Sequence, residues 1–227
     1  MPSIASARDP VIIRGIPRFV PHEHYTPSFG FQWKRHAQTQ LDSTTGKPIS
    51  RDRLFGVTGW PERMDGECIL EAGCGAGRFT EVLAATGADV YSFDLSEAVG
   101  ANHANHGHLP NVHIFQASIT EMPFAPAQFD RVLCLGVLQH TPDPAVAFRA
   151  LAAQVRPGGH LAIDVYRRDL AAMLQWKYVL RPFTKRMNPE RLYRMIRWVV
   201  PRIVPAARAA RRIAGRVGAR LLPIAES

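Results

Sequence analysis

The chain reads as a doubly wound α/β fold with a mostly parallel sheet of at least five strands. Two observations carry this reading. Five short apolar runs are separated by stretches with helical spacing, and strands that alternate with helices pair in parallel through right-handed crossovers. The first run ends in an acid and a glycine-rich turn, Glu71-Ala72-Gly73-Cys74-Gly75-Ala76-Gly77, after which Phe79, Val82 and Leu83 fall at helical spacing.

The elements follow in order. Cys68 to Leu70 forms the first strand, and Arg78 to Thr86 the helix behind the turn. Asp89 to Asp94 is a second strand that again ends in an acid, and Ser96 caps a helix running to His106. Val112 to Ala117 is the third strand and Phe129 to Gly136 the fourth. Asp143 caps a helix over Pro144 to Val155, with proline in its first turn. His160 to Tyr166 is the fifth strand. Beyond it the chain reads as helical and basic, and no antiparallel hairpin is legible there, since Leu221 to Ile224 is at most the start of one strand.

The glycine turn carries chemistry. Glycines let a backbone approach a ligand and reach dihedrals that a Cβ forbids, and the helix end behind them presents free N–H groups to an anion. The spacing Gly73, Gly75, Gly77 is G-x-G-x-G, whereas dinucleotide folds use G-x-G-x-x-G. Taken alone, the turn also fits a plain strand–helix connection. Asp94 stands where an acid can accept both hydroxyls of a ribose, in either class of nucleotide.

The run FQASITEMPFAPAQFDRVLCLGVLQHTPDP, over 115–144, and the later RPGGHLAIDVY resemble the bacterial class I S-adenosylmethionine (SAM) methyltransferase domain. Phe29-Gly30-Phe31-Gln32-Trp33 through Thr39 to Ser43 resembles a branch associated with cell-envelope glycan pathways. The resemblance implies a Rossmann-like core with SAM as cofactor. It implies that the methionine end lies over Gly73 to Gly77 with help from Glu71, that Asp94 holds the ribose, and that Leu95 and Leu135 line the cofactor site. Relatives carry an acid after the third strand for the adenine amino group. Here Ser118 and Ile119 stand at that place, so the adenine contact departs from the pattern. The usual C-terminal antiparallel hairpin is missing from the pattern as well.

His140, just past the fourth strand, is the candidate general base for a hydroxyl acceptor, because an imidazole titrates near neutral pH. The alternative is a histidine that only shapes the loop. Gln139, Asp164 and Tyr166 are further candidates at nearby strand ends. Phe29, Phe31 and Trp33 fit either a lid or an edge strand. His103, His106 and His108 lack a matching cysteine or carboxylate set, so no metal site is expected.

The expected domains are an N-terminal extension or lid over 1–48, a cofactor-binding core over 49–167 and a basic helical segment over 168–227. No signal peptide or spanning segment is evident, and the odd count of three cysteines suits a reducing cytoplasm. The net charge of +9 is unevenly placed: thirteen Lys and Arg lie between Lys177 and Arg220, opposed only by Glu190. Trp198 and aliphatic residues are interleaved among them, and Pro201 and Pro205 predict at least two short helices with a bend. Such a stretch can lie on an anionic membrane surface at the inner face, bind nucleic acid, or pack on the domain. The expected activity is methyl transfer to an oxygen of a small molecule, a glycan or a lipid-linked sugar. An RNA methyltransferase and a catalytically silent membrane scaffold are the alternatives.

Overall fold

The structure, a computed structural model, describes residues 2–3, 9–20, 38–165, 182, 184 and 186–220, the last stretch with side chains as far as 205. Phe29, Phe31, Trp33, Tyr166, Lys177, Arg181, Lys185 and 221–224 lie outside these residues. Contacts divide the chain into two units, 1–166 and 167–227.

In the first unit the elements are β1 (Val11–Ile13), β2 (Ile16–Arg18), α1 (Asp42–Thr45), α2 (Ile49–Thr58), β3 (Cys68–Ala72), α3 (Arg78–Ala84), β4 (Asp89–Asp94), α4 (Val99–His106), β5 (Val112–Gln116), β6 (Phe129–Cys134), α5 (Pro144–Gln154) and β7 (Val155–Ile163). They build a seven-stranded sheet in the order β1-β2-β5-β4-β3-β6-β7. Only β1 and β2 pair antiparallel; the other neighbours run parallel. Successive residues of each strand face opposite sides, so the core has two layers. Ile69, Val90, Ile114 and Leu133 pack beneath α3 and α4 with Val82, Leu83 and Val99. Leu70, Tyr91, Phe115 and Val132 pack beneath α5 with Ala147 and Leu151. A sheet buried on both faces explains why its strands read as apolar runs without alternation.

The central strands fall where the sequence puts them, with two differences at the ends. Strand β7 begins at Val155, because Val155 pairs with Phe129 before a bulge resets the register to His160 opposite Arg131. Helix α4 starts at Val99, three residues past Ser96, whose hydroxyl donates to Asp94 Oδ1 at 2.8 Å and accepts from the Ala98 N–H at 3.3 Å. Asp143 does cap α5, accepting from the N–H groups of Ala145 and Val146 at 2.8 and 3.0 Å.

The N-terminal hairpin β1–β2 has no counterpart in the sequence reading. Arg14 and Gly15 both take positive φ, 53° and 79°, which closes a two-residue turn matched to the strand twist. Strand β2 then docks on β5, where Phe19 N–H donates to the Gln116 carbonyl at 2.8 Å. Thus the sheet reaches seven strands from its N-terminal side. Among the described residues no strand follows β7.

In the second unit, α6 (Pro189–Arg220) runs unbroken through Pro201 and Pro205. This corrects the expectation of two helices. Each proline removes one ladder hydrogen bond. In the turn before Pro201, the Trp198 carbonyl takes a side-chain donor, Arg202 Nη1, at 2.6 Å. The amphipathic pattern Leu192, Ile196, Val199, Ile203 continues in phase across the prolines. Trp198 lies on the arginine side of the helix, with the Arg202 guanidinium 4.1 Å from its ring centroid.

Candidate functional site

Parallel sheets bind ligands beyond the carboxyl ends of their strands, where the strand order reverses. Here β3 is that point: β4 and β5 extend to one side of it, β6 and β7 to the other. A cavity of about 670 Å³ opens there. Its wall is built from the loops after four adjacent strands: Gly73 to Gly75 after β3, Asp94 to Ser96 at β4, Ala117 to Thr120 after β5, and Leu135 to Val137 with His140 to Asp143 after β6.

Close packing shapes the floor. Gly73 has φ +78°, and a Cβ there would stand 2.3 Å from a methyl of Val137 across the cavity floor. Only glycine allows the two loops to meet this closely. Gly75 donates its N–H to Asp94 Oδ2 at 3.0 Å, while Asp94 Oδ1 accepts from the N–H and hydroxyl of Ser96, each at 2.8 Å. The carboxylate therefore pins the glycine loop to the turn after β4. Three of its roughly four acceptor positions are used by the protein.

The same turn is braced from the N-terminal hairpin. Arg18 Nη1 donates to Glu97, and to Gln116 Oε1 at 2.7 Å; Gln116 Nε2 donates to the Leu95 carbonyl at 2.7 Å. Leu95 projects from this brace, 38% exposed, into the cavity wall. Ser118 and Thr120 form a small polar turn on the wall, their hydroxyls 2.9 Å apart, with Ile119 buried between them. These hydroxyls stand where an acid is absent, and hydroxyls can partner an amino group.

Glu71 and Gly77 take other places. Neither belongs to the cavity wall. Glu71 is buried under the glycine loop, where its Oε2 accepts from Thr80 Oγ1 at 2.5 Å and Ser92 Oγ at 2.6 Å. Burial pushes its carboxyl up to about 7, against the lowering effect of these two hydrogen bonds. Thr80 also accepts from Asn102 Nδ2 at 2.9 Å, and Asn102 Oδ1 meets His106 Nδ1 at 2.8 Å. Gly77, with φ +95°, sits against that last pair; a Cβ would lie 2.2 Å from Asn102 Oδ1 and 2.5 Å from His106 Nδ1. Its role is to let α3 and α4 approach. Leu135 is buried at the cavity edge.

His140 ends a single 3₁₀ turn, Leu138–His140, exposed on the wall opposite the Ser118 turn. Its backbone N–H donates to the Val137 carbonyl at 2.8 Å. Asp164, outside the wall, accepts from the Gly136 N–H and from Arg53 Nη2 at 2.9 Å. Gln139 is close by, with both side-chain polar atoms buried and without partners. Among the wall residues that the sequence reading missed are Gln40, Arg53 and Arg78. They come from the segment before β3 and from the start of α3, and only the tertiary fold brings them together.

These features suit a nucleoside-bearing ligand with an aliphatic tail. Such a tail would meet the glycine backbone, a sugar would meet Asp94, and a base would meet the hydroxyls of the Ser118 turn beside apolar Leu95 and Ile119. SAM has this shape, and the residues present fit it.

Comparison with known proteins agrees. A family model described as a methyltransferase domain matches residues 70–163. The chain is 32% identical over 171 residues to a ubiquinone biosynthesis O-methyltransferase of Alkalilimnicola ehrlichii, covering 72% of this chain and 69% of that protein. It is 36% identical over 130 residues to the protein of the same name from Acinetobacter baumannii, covering 54% of this chain and 55% of that protein. The chain thus spans about half the length of several of the curated relatives it matches. Among solved structures, a chain of the complex between the Haloferax volcanii Trm112 methyltransferase activator and a methyltransferase superposes with a TM-score of 0.53. It is 16% identical, and the match covers 66% of this chain and 65% of that one.

Proposed function

This chain belongs to the class I SAM-dependent methyltransferase family, and from that premise we propose that it transfers the methyl group of SAM to an oxygen of a small-molecule acceptor. The observation that carries the proposal is the cavity at β3, where Gly73, Gly75, Asp94 and His140 line one space. The name of the curated relatives supports oxygen as the methylated atom. A glycan or lipid-linked sugar acceptor is the finer reading, supported by the resemblance of the N-terminal stretch.

SAM supplies a methyl group on a sulfonium that leaves readily. The protein's part is alignment, worth up to roughly 7–11 kcal/mol in well-oriented systems. Gly73 and Gly75 bring backbone against the cofactor tail, and Asp94 fixes its ribose. Leu95, Ile119 and Leu135 keep the wall apolar, which favours a reaction that disperses charge. His140 takes the proton of the acceptor hydroxyl as the oxygen attacks. Replacing His140 with Asn should lower turnover by roughly a hundredfold while SAM affinity holds. The test is transfer of labelled methyl to extracted small molecules and glycans, and unchanged turnover would leave His140 a loop residue only.

The second unit carries a peripheral role at an anionic membrane surface. In α6 the exposed Arg191, Arg194, Arg197 and Arg202 are opposed by Glu190 alone. The apolar side keeps Ile196 and Val200 at 45% and 36% exposure. A long basic amphipathic helix of this kind lies in a membrane interface. No helix among the described residues is long and apolar enough to cross a membrane.

A further inference from the structure

Arg18 has no place in the mechanism above, yet its side chain ends beside the cofactor cavity. It is the last residue of β2, stands opposite Gln116 of β5, and is largely buried. Its Nη1 donates to Glu97 and, at 2.7 Å, to Gln116 Oε1, across 79 and 98 residues of sequence. A guanidinium only donates, so the Gln116 carboxamide must turn its oxygen toward Arg18. Gln116 Nε2 then faces the Leu95 carbonyl and donates to it at 2.7 Å. That carbonyl lies just past Asp94, whose own carbonyl accepts from the Ala117 N–H at 3.2 Å where the pairing of β4 with β5 ends. One guanidinium therefore ties down the turn after β4 twice, at Leu95 through Gln116 and at Glu97 directly. Arg18 Nε is buried and has no partner among the described residues, a desolvation cost that the bonds at the far end of the group offset.

We propose that Arg18 is a positioning residue for cofactor binding: it holds the Asp94–Ser96 turn in shape, so that the N-terminal hairpin sets how tightly the cavity takes SAM. The inference deepens the methyl-transfer reading and rests on its cofactor. Asp94, Leu95 and Ser96 line the cavity, whereas Arg18, Glu97 and Gln116 are not part of its wall. A short turn binds more tightly when its shape is fixed before the ligand arrives, because less ordering is left to the binding step. Asp94 fixes this turn from the cavity side, through Gly75 and Ser96. Arg18 fixes it from the other side. The hairpin also has a hold on the sheet that does not involve the brace. Ile16 is buried in the core, and the Phe19 ring meets Phe115 edge-on at 6.1 Å. Docking of the hairpin and bracing of the turn can therefore be perturbed separately.

The test is calorimetric titration of SAM into the full chain, with melting temperatures measured alongside. The variants are Arg18→Met, Gln116→Met, the two combined, Arg18→Lys and Ile16→Val. Each Met variant should weaken SAM by roughly tenfold, as loss of a charge-assisted or buried hydrogen bond can. Both act through the Leu95 turn, so the double variant should be at most about threefold weaker than the weaker single one. Arg18→Lys, whose ammonium can donate to both partners from a shorter stem, should keep part of the affinity. Ile16→Val trims the buried side of the hairpin, so it should lower the melting temperature and leave SAM affinity within about twofold of the wild type. Wild-type affinity in Arg18→Met overturns the proposal, as do losses that multiply in the double variant. So does an Ile16→Val variant that loses SAM affinity along with its melting temperature, since general loosening would then account for the effect. If Arg18→Met does not fold, Arg18→Lys and Gln116→Met carry the same comparison. A wild type that binds no SAM contradicts the cofactor reading and the proposal with it, whereas tight wild-type binding with unchanged variants sinks the proposal alone.

Discussion

Glu71 shows how a conspicuous residue can serve a different end from the one its position suggests. It stands at the end of the first core strand, two residues before the glycine turn, yet its carboxyl is turned inward to Thr80 and Ser92. Its folded value of about 7 lies above the ordinary 4.5. The unfolded chain thus releases this proton first, and stability from this group is fully present below pH 4.5 and is lost as pH rises toward 7. The shift corresponds to roughly 3 kcal/mol. Glu71→Gln can still accept from both hydroxyls, so its stability should vary less between pH 5 and 8, with SAM affinity unchanged. Denaturant midpoints across that range check this, and parallel curves for variant and wild type would contradict it. Gly77 gives a second prediction. Gly77→Ala forces a side chain into φ +95° and against Asn102 and His106, and should cost roughly 2 kcal/mol or more. An unchanged denaturant midpoint would show that α4 can yield. Neither role was legible in sequence, because Thr80, Ser92, Asn102 and His106 reach Glu71 and Gly77 from three different elements. The glycine spacing and Asp94 were legible, because turn and strand end lie in local sequence.

The strands from Cys68 to Gln116 could be read directly, since each is an apolar run buried on both faces. The β1–β2 hairpin could not. Its strands are three residues each, and it gains its place from Phe19 and Arg18 docking on Gln116, nearly a hundred residues away. A local signal was present in Arg14-Gly15 between Ile13 and Ile16, a turn pair flanked by apolar residues. Helix α6 shows the opposite case, where two prolines read as breaks and the helix continues. At about 1.5 Å per residue its 32 residues extend roughly 48 Å, enough to lay many arginines along one surface. Each Lys or Arg near an anionic leaflet contributes roughly 1 kcal/mol. The chain should sediment with anionic vesicles at low salt, and less so as salt screens the attraction. Equal partition to neutral and anionic vesicles would contradict a membrane role, and stronger binding to duplex RNA would favour nucleic acid.

For the whole molecule, charge and chemistry are segregated along the chain. Of 28 basic and 19 acidic residues, thirteen basic and one acidic lie over 177–220, leaving 15 basic against 18 acidic elsewhere. The strong basicity therefore belongs to the second unit, and the cavity belongs wholly to the first. The account predicts that cofactor binding depends on the sheet loops and not on the basic helix. Calorimetric titration of SAM into the full chain and into Asp94→Ala tests this most directly. The wild type should bind SAM and not NADH. The variant should bind roughly tenfold to a hundredfold more weakly, since it loses a charge-assisted bond to the ribose and the anchor of the Gly75 loop. No heat with SAM in the wild type, or equal affinity within twofold in the two proteins, would contradict the assignment of this cavity to the cofactor.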